Sequence, residues 1–115
     1  MDTGRLEKIE AMLESDPEDT FLRYSRAMEW AKLGKVAESL AGLKELTVED
    51  PPYVPAFFMA AQQLAQQDAT DEAADQLRDG IVAAEAAGDS HAVGEMREFL
   101  EARWPPLAWQ ICCIP

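Results

Sequence analysis

A chain of 115 residues, 48% of them hydrophobic, is long enough to bury one core without disulfide or metal and too apolar to be a disordered segment. Ten Lys and Arg face twenty-two Asp and Glu, a formal charge of −12. That surface repels phosphate backbones and anionic lipid, so nucleic acid and membrane are excluded as expected partners, and basic or apolar peptides are favoured over acidic ones.

The pattern predicts helices throughout. Leu6, Ile9, Met12 and Leu13 recur at helical spacing and give a first helix over 4–15, with one apolar stripe. Asp16-Pro17 stops it, because proline cannot continue a helix and restricts the residue before it. Asp19 is the expected N-cap of a second helix over 20–33, whose Phe21, Tyr24, Ala27, Met28, Trp30 and Ala31 spread widely enough for packing on two sides. Gly34 fits the left-handed position that ends it. Val36, Leu40, Leu43 and Leu46 form the stripe of a third helix over 36–49, closed by Asp50-Pro51-Pro52. A fourth opens at Pro55 and reaches about Gln67, with Phe57, Phe58, Ala60, Ala61 and Leu64 apolar. Asp68 to Asp71 is a turn with Thr70 as the expected cap of a fifth helix that runs to Ala87. Gly88-Asp89 reads as a stop and a new cap, and a sixth helix follows to Arg103. Trp104-Pro105-Pro106 ends it, and 105–115 is an uncharged apolar tail.

Two of these helix pairs are one unit repeated. Asp16-Pro17 recurs thirty-four residues on as Asp50-Pro51, and at that offset Tyr24 matches Phe58, Ala27 matches Ala61, Trp30 matches Leu64, Glu38 matches Glu72, and Leu43 matches Leu77. Ala27, Ser39, Ala61 and Ala73 are small where two backbones must approach. Trp30, Leu43, Leu64 and Leu77 are expected to fill the space between hairpins. With this period and these residues, the chain resembles the tetratricopeptide-repeat family over about Leu6 to Leu100. Arg23 and Arg26 depart from the family pattern, standing where large apolar residues are usual. Their stems are expected to lie along the core with their heads reaching Asp or Glu, unless the first hairpin is distorted.

The resemblance implies an all-α, right-handed α-solenoid of antiparallel helix pairs with six helices. The domain covers 1–104: a half unit at 4–17, repeats at 20–53 and 54–87, and a capping helix at 89–103. It also implies a concave groove lined by the first helix of each hairpin, showing Tyr24, Met28, Ala31, Phe58, Gln62 and Ala65, with Lys32 and Gln66 at the rim. The competing reading is that Tyr24, Met28 and Phe58 are core or are covered by the tail. Some family members hold acidic C-termini with a clamp of Lys, Arg and Asn; here only Lys32 could contribute, and that reading is rejected.

No site for chemistry emerges. His91 is the single histidine, in the first turn of the last helix, and Cys112 and Cys113 are adjacent, so no zinc spacing exists. There is no phosphate loop, Ser-His-Asp set or HExxH motif, and neither a cofactor nor a metal is expected. MDTGRLEKIE has no signal-peptide core, and no segment reaches the ~18–20 apolar residues of a membrane span. The expectation is a cytoplasmic, non-catalytic adaptor that holds a peptide or helix of a partner protein. The alternative is a subunit that forms a homodimer through its groove or tail.

Overall fold

The computed structural model describes residues 4–103, so the apolar tail at 105–115 lies outside the described residues. The order is α1 (Gly4–Ser15), α2 (Thr20–Lys32), α3 (Val36–Thr47), α4 (Val54–Gln66), α5 (Thr70–Ala87) and α6 (Ser90–Arg103). There is no strand among the described residues. Each helix packs on the next, and α4 also touches α6. The expected all-α repeat of helix pairs is the architecture observed.

The helix ends are set by local chemistry. Asp19 caps α2, its carboxylate accepting from the Leu22 N–H at 2.9 Å, and Asp89 caps α6 by accepting from the Ala92 N–H at 3.1 Å. Three ends share one closure. At the first, the Lys35 N–H reaches the Trp30 carbonyl and the Gly34 N–H reaches that of Ala31. The same pair of bonds recurs for Ala69 to Leu64 with Asp68 to Ala65, and for Asp89 to Ala84 with Gly88 to Glu85. The residue that reverses the chain is left-handed each time, at φ 83° for Gly34, 62° for Asp68 and 73° for Gly88. Asp68 is the repeat equivalent of Gly34, with a short polar side chain in place of none. Thr70 is not the cap expected of it: it is the first residue of α5, and Ala69 before it offers no side-chain cap.

The core follows the small-and-large pattern of the repeat. Ala27, Leu43, Leu46, Ala56 and Ala60 join α2, α3 and α4; Phe57, Ala61, Leu77, Ala84 and Met96 join α4, α5 and α6. Each fully buried leucine contributes about 1.5–3 kcal/mol. Ser39 does more than stay small. Its hydroxyl donates to the Ala27 carbonyl at 2.6 Å and accepts from the Gln63 side-chain amide at 2.8 Å, so one buried clasp ties α2, α3 and α4.

Several expectations need correction. Met12 and Val36, placed in apolar stripes, are about half exposed at 50% and 40%. Trp30 packs across its own hairpin against Gly42, and Arg26 stacks its guanidinium over the Trp30 ring at 4.8 Å. Arg26 thus finds an aromatic face rather than a carboxylate. Arg23 does reach one, Glu49 of the α3–α4 connection, at 2.9 Å. Gly80 is not merely a weak helix residue: a Cβ there would lie 2.6 Å from both Met96 Sδ and Phe57 Cβ, so its absence lets α5 approach α4 and α6.

Candidate functional site: a cleft between α2, α4 and α6

The first helices of successive units line one face. Tyr24 of α2 and Phe58 of α4 are both half-buried, and each ring is held by a neighbour. Tyr24 tilts against Tyr53 with centroids 5.3 Å apart, and Phe58 meets Phe99 of α6 edge to face at 5.4 Å. Burial first, and then the adjacent Tyr53 phenol, holds the Tyr24 hydroxyl above its usual pKa. Tyr53 is raised by burial and by the charge of Asp19. These rings are therefore part of the packing and part of the surface at once.

Between them lies a cleft of about 310 Å³. Tyr24, Val54, Phe58, Met59 and Ala92 form its apolar wall with the buried Met96 behind them, and Asp89, His91 and Glu95 stand at its edge. An adjoining hollow is bounded by Phe58, Phe99, Glu95 and Glu98. His91 Nε2 lies 3.4 Å from the Glu95 carboxylate, and neither Lys nor Arg lines either hollow. The edge is acidic and the floor is made of rings and thioethers. Such a surface can hold an aromatic or aliphatic side chain and pair with a cation beside it.

Of the eight groove residues expected from sequence, Tyr24 and Phe58 line this cleft. Met28, Ala31 and Gln62 are half-buried further along α2 and α4, and Gln66 is exposed. Lys32 is exposed and pairs with the buried Glu29 carboxylate at 3.2 Å, which also draws Arg5 of α1. Ala65 is a correction: it is 8% exposed and packs with Leu64 and Ala73 inside the second hairpin, so it offers a partner almost no surface.

The missed residues are those of α6. Reading α6 only as a cap hid the wall formed by Ala92, Glu95 and Met96. The signal was present, since one more step of thirty-four carries Tyr24 and Phe58 to Ala92, and Met28 and Gln62 to Met96. An alanine in the third place where the first two are aromatic leaves the hollow open.

A different depression of about 490 Å³ is bounded by Val48, Pro52, Gln76, Asp79 and Val82 at the α3–α4 connection and α5. Val48 and Val82 are well exposed there. Among the described residues no three His, Cys, Asp or Glu stand together as metal ligands, and no helix is long and apolar enough to cross a membrane.

Two solved structures resemble this arrangement. The solution NMR structure of a tetratricopeptide repeat domain protein from Salinibacter ruber is 33% identical, with 74% of this chain and 86% of that one covered at a TM-score of 0.70. The solution structure of a protein from Bordetella parapertussis is 27% identical, with 96% of each chain covered at a TM-score of 0.73. No family model and no curated protein matches the chain.

Proposed function

The chain belongs to the tetratricopeptide-repeat family, and we propose that it is a non-catalytic interaction module whose concave cleft holds a short apolar or basic segment of a partner protein. The fold generally mediates protein–protein interaction, and the finer reading is supported by one observation. The cleft between α2, α4 and α6 joins an apolar wall to an edge of Asp89 and Glu95, and Glu98 adds a further carboxylate at the adjoining hollow, where the Arg103 guanidinium stands over the Phe99 ring. An acidic peptide entering it would meet like charge from a molecule already at −12. A peptide with an aromatic or aliphatic anchor beside a Lys or Arg would meet complementary chemistry at both points. The same charge argues against nucleic acid and anionic membrane as partners.

The test is selection of a randomised displayed-peptide library on the full chain, followed by binding to Glu95→Lys with Glu98→Lys. Both positions are exposed, so reversing them leaves the packing intact. The expected result is enrichment of peptides that combine Lys or Arg with Trp, Phe or Leu, and a loss of binding on charge reversal. Recovery of acidic peptides, or of peptides that bind the reversed variant equally well, would refute the reading. Light scattering on the same samples separates this function from the homodimer, which predicts a stable dimer without any peptide.

A further inference from the structure

We propose that the segment this cleft holds is an α-helix of the partner, which lays two apolar side chains one turn apart into the two hollows and turns a Lys or Arg on its adjacent flank toward α6. The proposal rests on the reading of the cleft as the ligand site and names the form and pattern of its ligand. Three observations carry it.

The first is continuity. Phe58 and Glu95 bound both the cleft and the adjoining hollow, so the two are neighbours along one trough. Each has a volume of about 310 Å³, room for one large apolar side chain. The second is their separation. α6 and its cap bound the cleft with residues from Asp89 to Met96, and α6 bounds the hollow with residues from Glu95 to Phe99. The midpoints of those stretches are about 7 Å apart along the helix axis at ~1.5 Å per residue. Side chains at i and i+4 of a helix stand about 6 Å apart along one face, and alternate residues of an extended chain about 7 Å apart. Spacing alone admits both forms.

The third observation separates them. The lining carboxylates, Asp89, Glu95 and Glu98, all come from α6 or its cap, while α2 and α4 bring Tyr24, Val54 and Phe58 and no charge. The acid therefore lies to one side of the apolar floor. Successive side chains turn by about 100° in a helix and about 180° in a strand. A helix thus carries an apolar seam and a basic flank on adjoining faces, which is the arrangement this trough complements. An extended chain that buries alternate side chains points the others straight out, away from the α6 carboxylates. Arg103 stands over Phe99 at 5.1 Å, so the ligand's cation belongs at the other end, beside Asp89 and Glu95. A second copy of this chain would bring a further charge of −12 to that edge, so the helix belongs to a different protein.

The probes are two alanine-rich synthetic peptides of identical composition, added to the full chain. One carries Leu at i and i+4 with Lys at i+1 and i+5; the other alternates the same Leu and Lys. The first should bind the more tightly, and its isotope-labelled carbonyls should show the helical amide band when bound. A proline between its leucines should weaken it by up to about a hundredfold, the change that proline's helix penalty implies. Glu95→Gln, at an exposed position, should weaken the Lys peptide and leave a version with Gln for both Lys unchanged. Ala92→Phe gives α6 the ring that α2 and α4 have at this place, and should abolish the contribution of one leucine while keeping that of the other. Equal or tighter binding of the alternating peptide, or indifference to the proline, overturns the helical form and leaves the cleft as a ligand site. Equal effects of Glu95→Gln on the Lys and Gln peptides overturn the basic flank. If neither peptide binds, this proposal fails, and the displayed-peptide selection decides the wider reading by itself: selected peptides that lose binding on charge reversal keep it, and their absence removes it.

Discussion

Alanine in place of two glycines should change stability in opposite directions. Gly80 and Gly94 both lie inside helices, where glycine costs about 1 kcal/mol relative to alanine. Propensity alone therefore predicts the same gain at both. At Gly94 nothing lies within 4 Å of an added Cβ, so Gly94→Ala should gain up to about 1 kcal/mol and raise the melting temperature by about 4–8 °C. At Gly80 an added Cβ would lie 2.6 Å from Met96 Sδ and Phe57 Cβ, and 3.0 Å from Phe57 Cγ. Carbon atoms pack best at ~3.5–4.0 Å, so the overlap is about 1 Å. Met96 can rotate its sulfur away, but Phe57 Cβ moves only if α4 moves. Overpacking of this kind costs about 1–3 kcal/mol, against which the propensity gain is at most about 1. The expected net loss is up to about 2 kcal/mol, a fall of up to roughly 16 °C at about 4–8 °C per kcal/mol. Thermal melts followed by far-UV circular dichroism decide it. If Gly80→Ala melts at or above the parent, α5 does not approach α4 and α6 as closely as the structure has it, and the account of how α6 is placed is wrong.

Three further outcomes are expected. Ser39→Ala removes the acceptor of the buried Gln63 amide and the bond to the Ala27 carbonyl, and should cost about 1–3 kcal/mol in denaturant melts. Adding Gln63→Met should recover part of that loss, and a loss below about 0.5 kcal/mol for Ser39→Ala would show that the clasp does not hold the hairpins together. Asp68→Gly, at a left-handed residue, should raise stability by about 0.5–1 kcal/mol; a decrease would mean that the aspartate contributes more than its backbone strain. Tyr24 and Tyr53, the only tyrosines, both have folded pKa values above 10.0, so the folded state holds their protons more tightly. That stabilisation is whole below about pH 10 and is lost as pH rises through the folded values. Denaturant midpoints should fall on the alkaline side in step with the ultraviolet titration of the phenols. Asp19→Asn should lower the Tyr53 midpoint, and an unchanged midpoint would remove Asp19 as a cause.

The repeat was legible because its causes are local or periodic. Asp19, Gly34, Gly88 and Asp89 announce helix ends through their own side chains or lack of one. The thirty-four-residue offset then carries Ala27 to Ala61 and Leu43 to Leu77, and all four are buried with Ala60 and Ala73 around them. What stayed hidden depends on neighbours distant in sequence. Nothing near Gln63 says that its amide will point at Ser39 twenty-four residues earlier. Glu29 reads as a surface acid on α2, yet it is only 8% exposed because α1 packs over it and brings Arg5. Arg26 stacks on Trp30 one turn away, an intrahelical partner where a carboxylate was expected, and its Nε stays buried without a hydrogen bond. Of the cleft, the two aromatic positions were legible and the third wall was not, because α6 repeats the position of Tyr24 and Phe58 without repeating its residue type.

That third wall also explains why a glycine remote from the cleft bears on the site. Met96 belongs both to the core against Gly80 and to the cleft beside Phe58. The distance of α6 from α5 is set where Gly80 has no side chain, and α6 carries Ala92, Glu95 and Met96 to the cleft as one rigid helix. A methyl group at Gly80 that pushed Met96 outward would move the acidic edge relative to Phe58 without touching any residue a ligand meets. In packed interiors such a shift is transmitted rather than absorbed. Gly80→Ala should therefore displace the amide signals of Phe58 and Phe99 at temperatures well below its melt, while Gly94→Ala, on an exposed face of α6, should leave them in place. Equal displacement by both variants would mean that helix propensity in α6, and not its contact with α5, sets the width of the cleft.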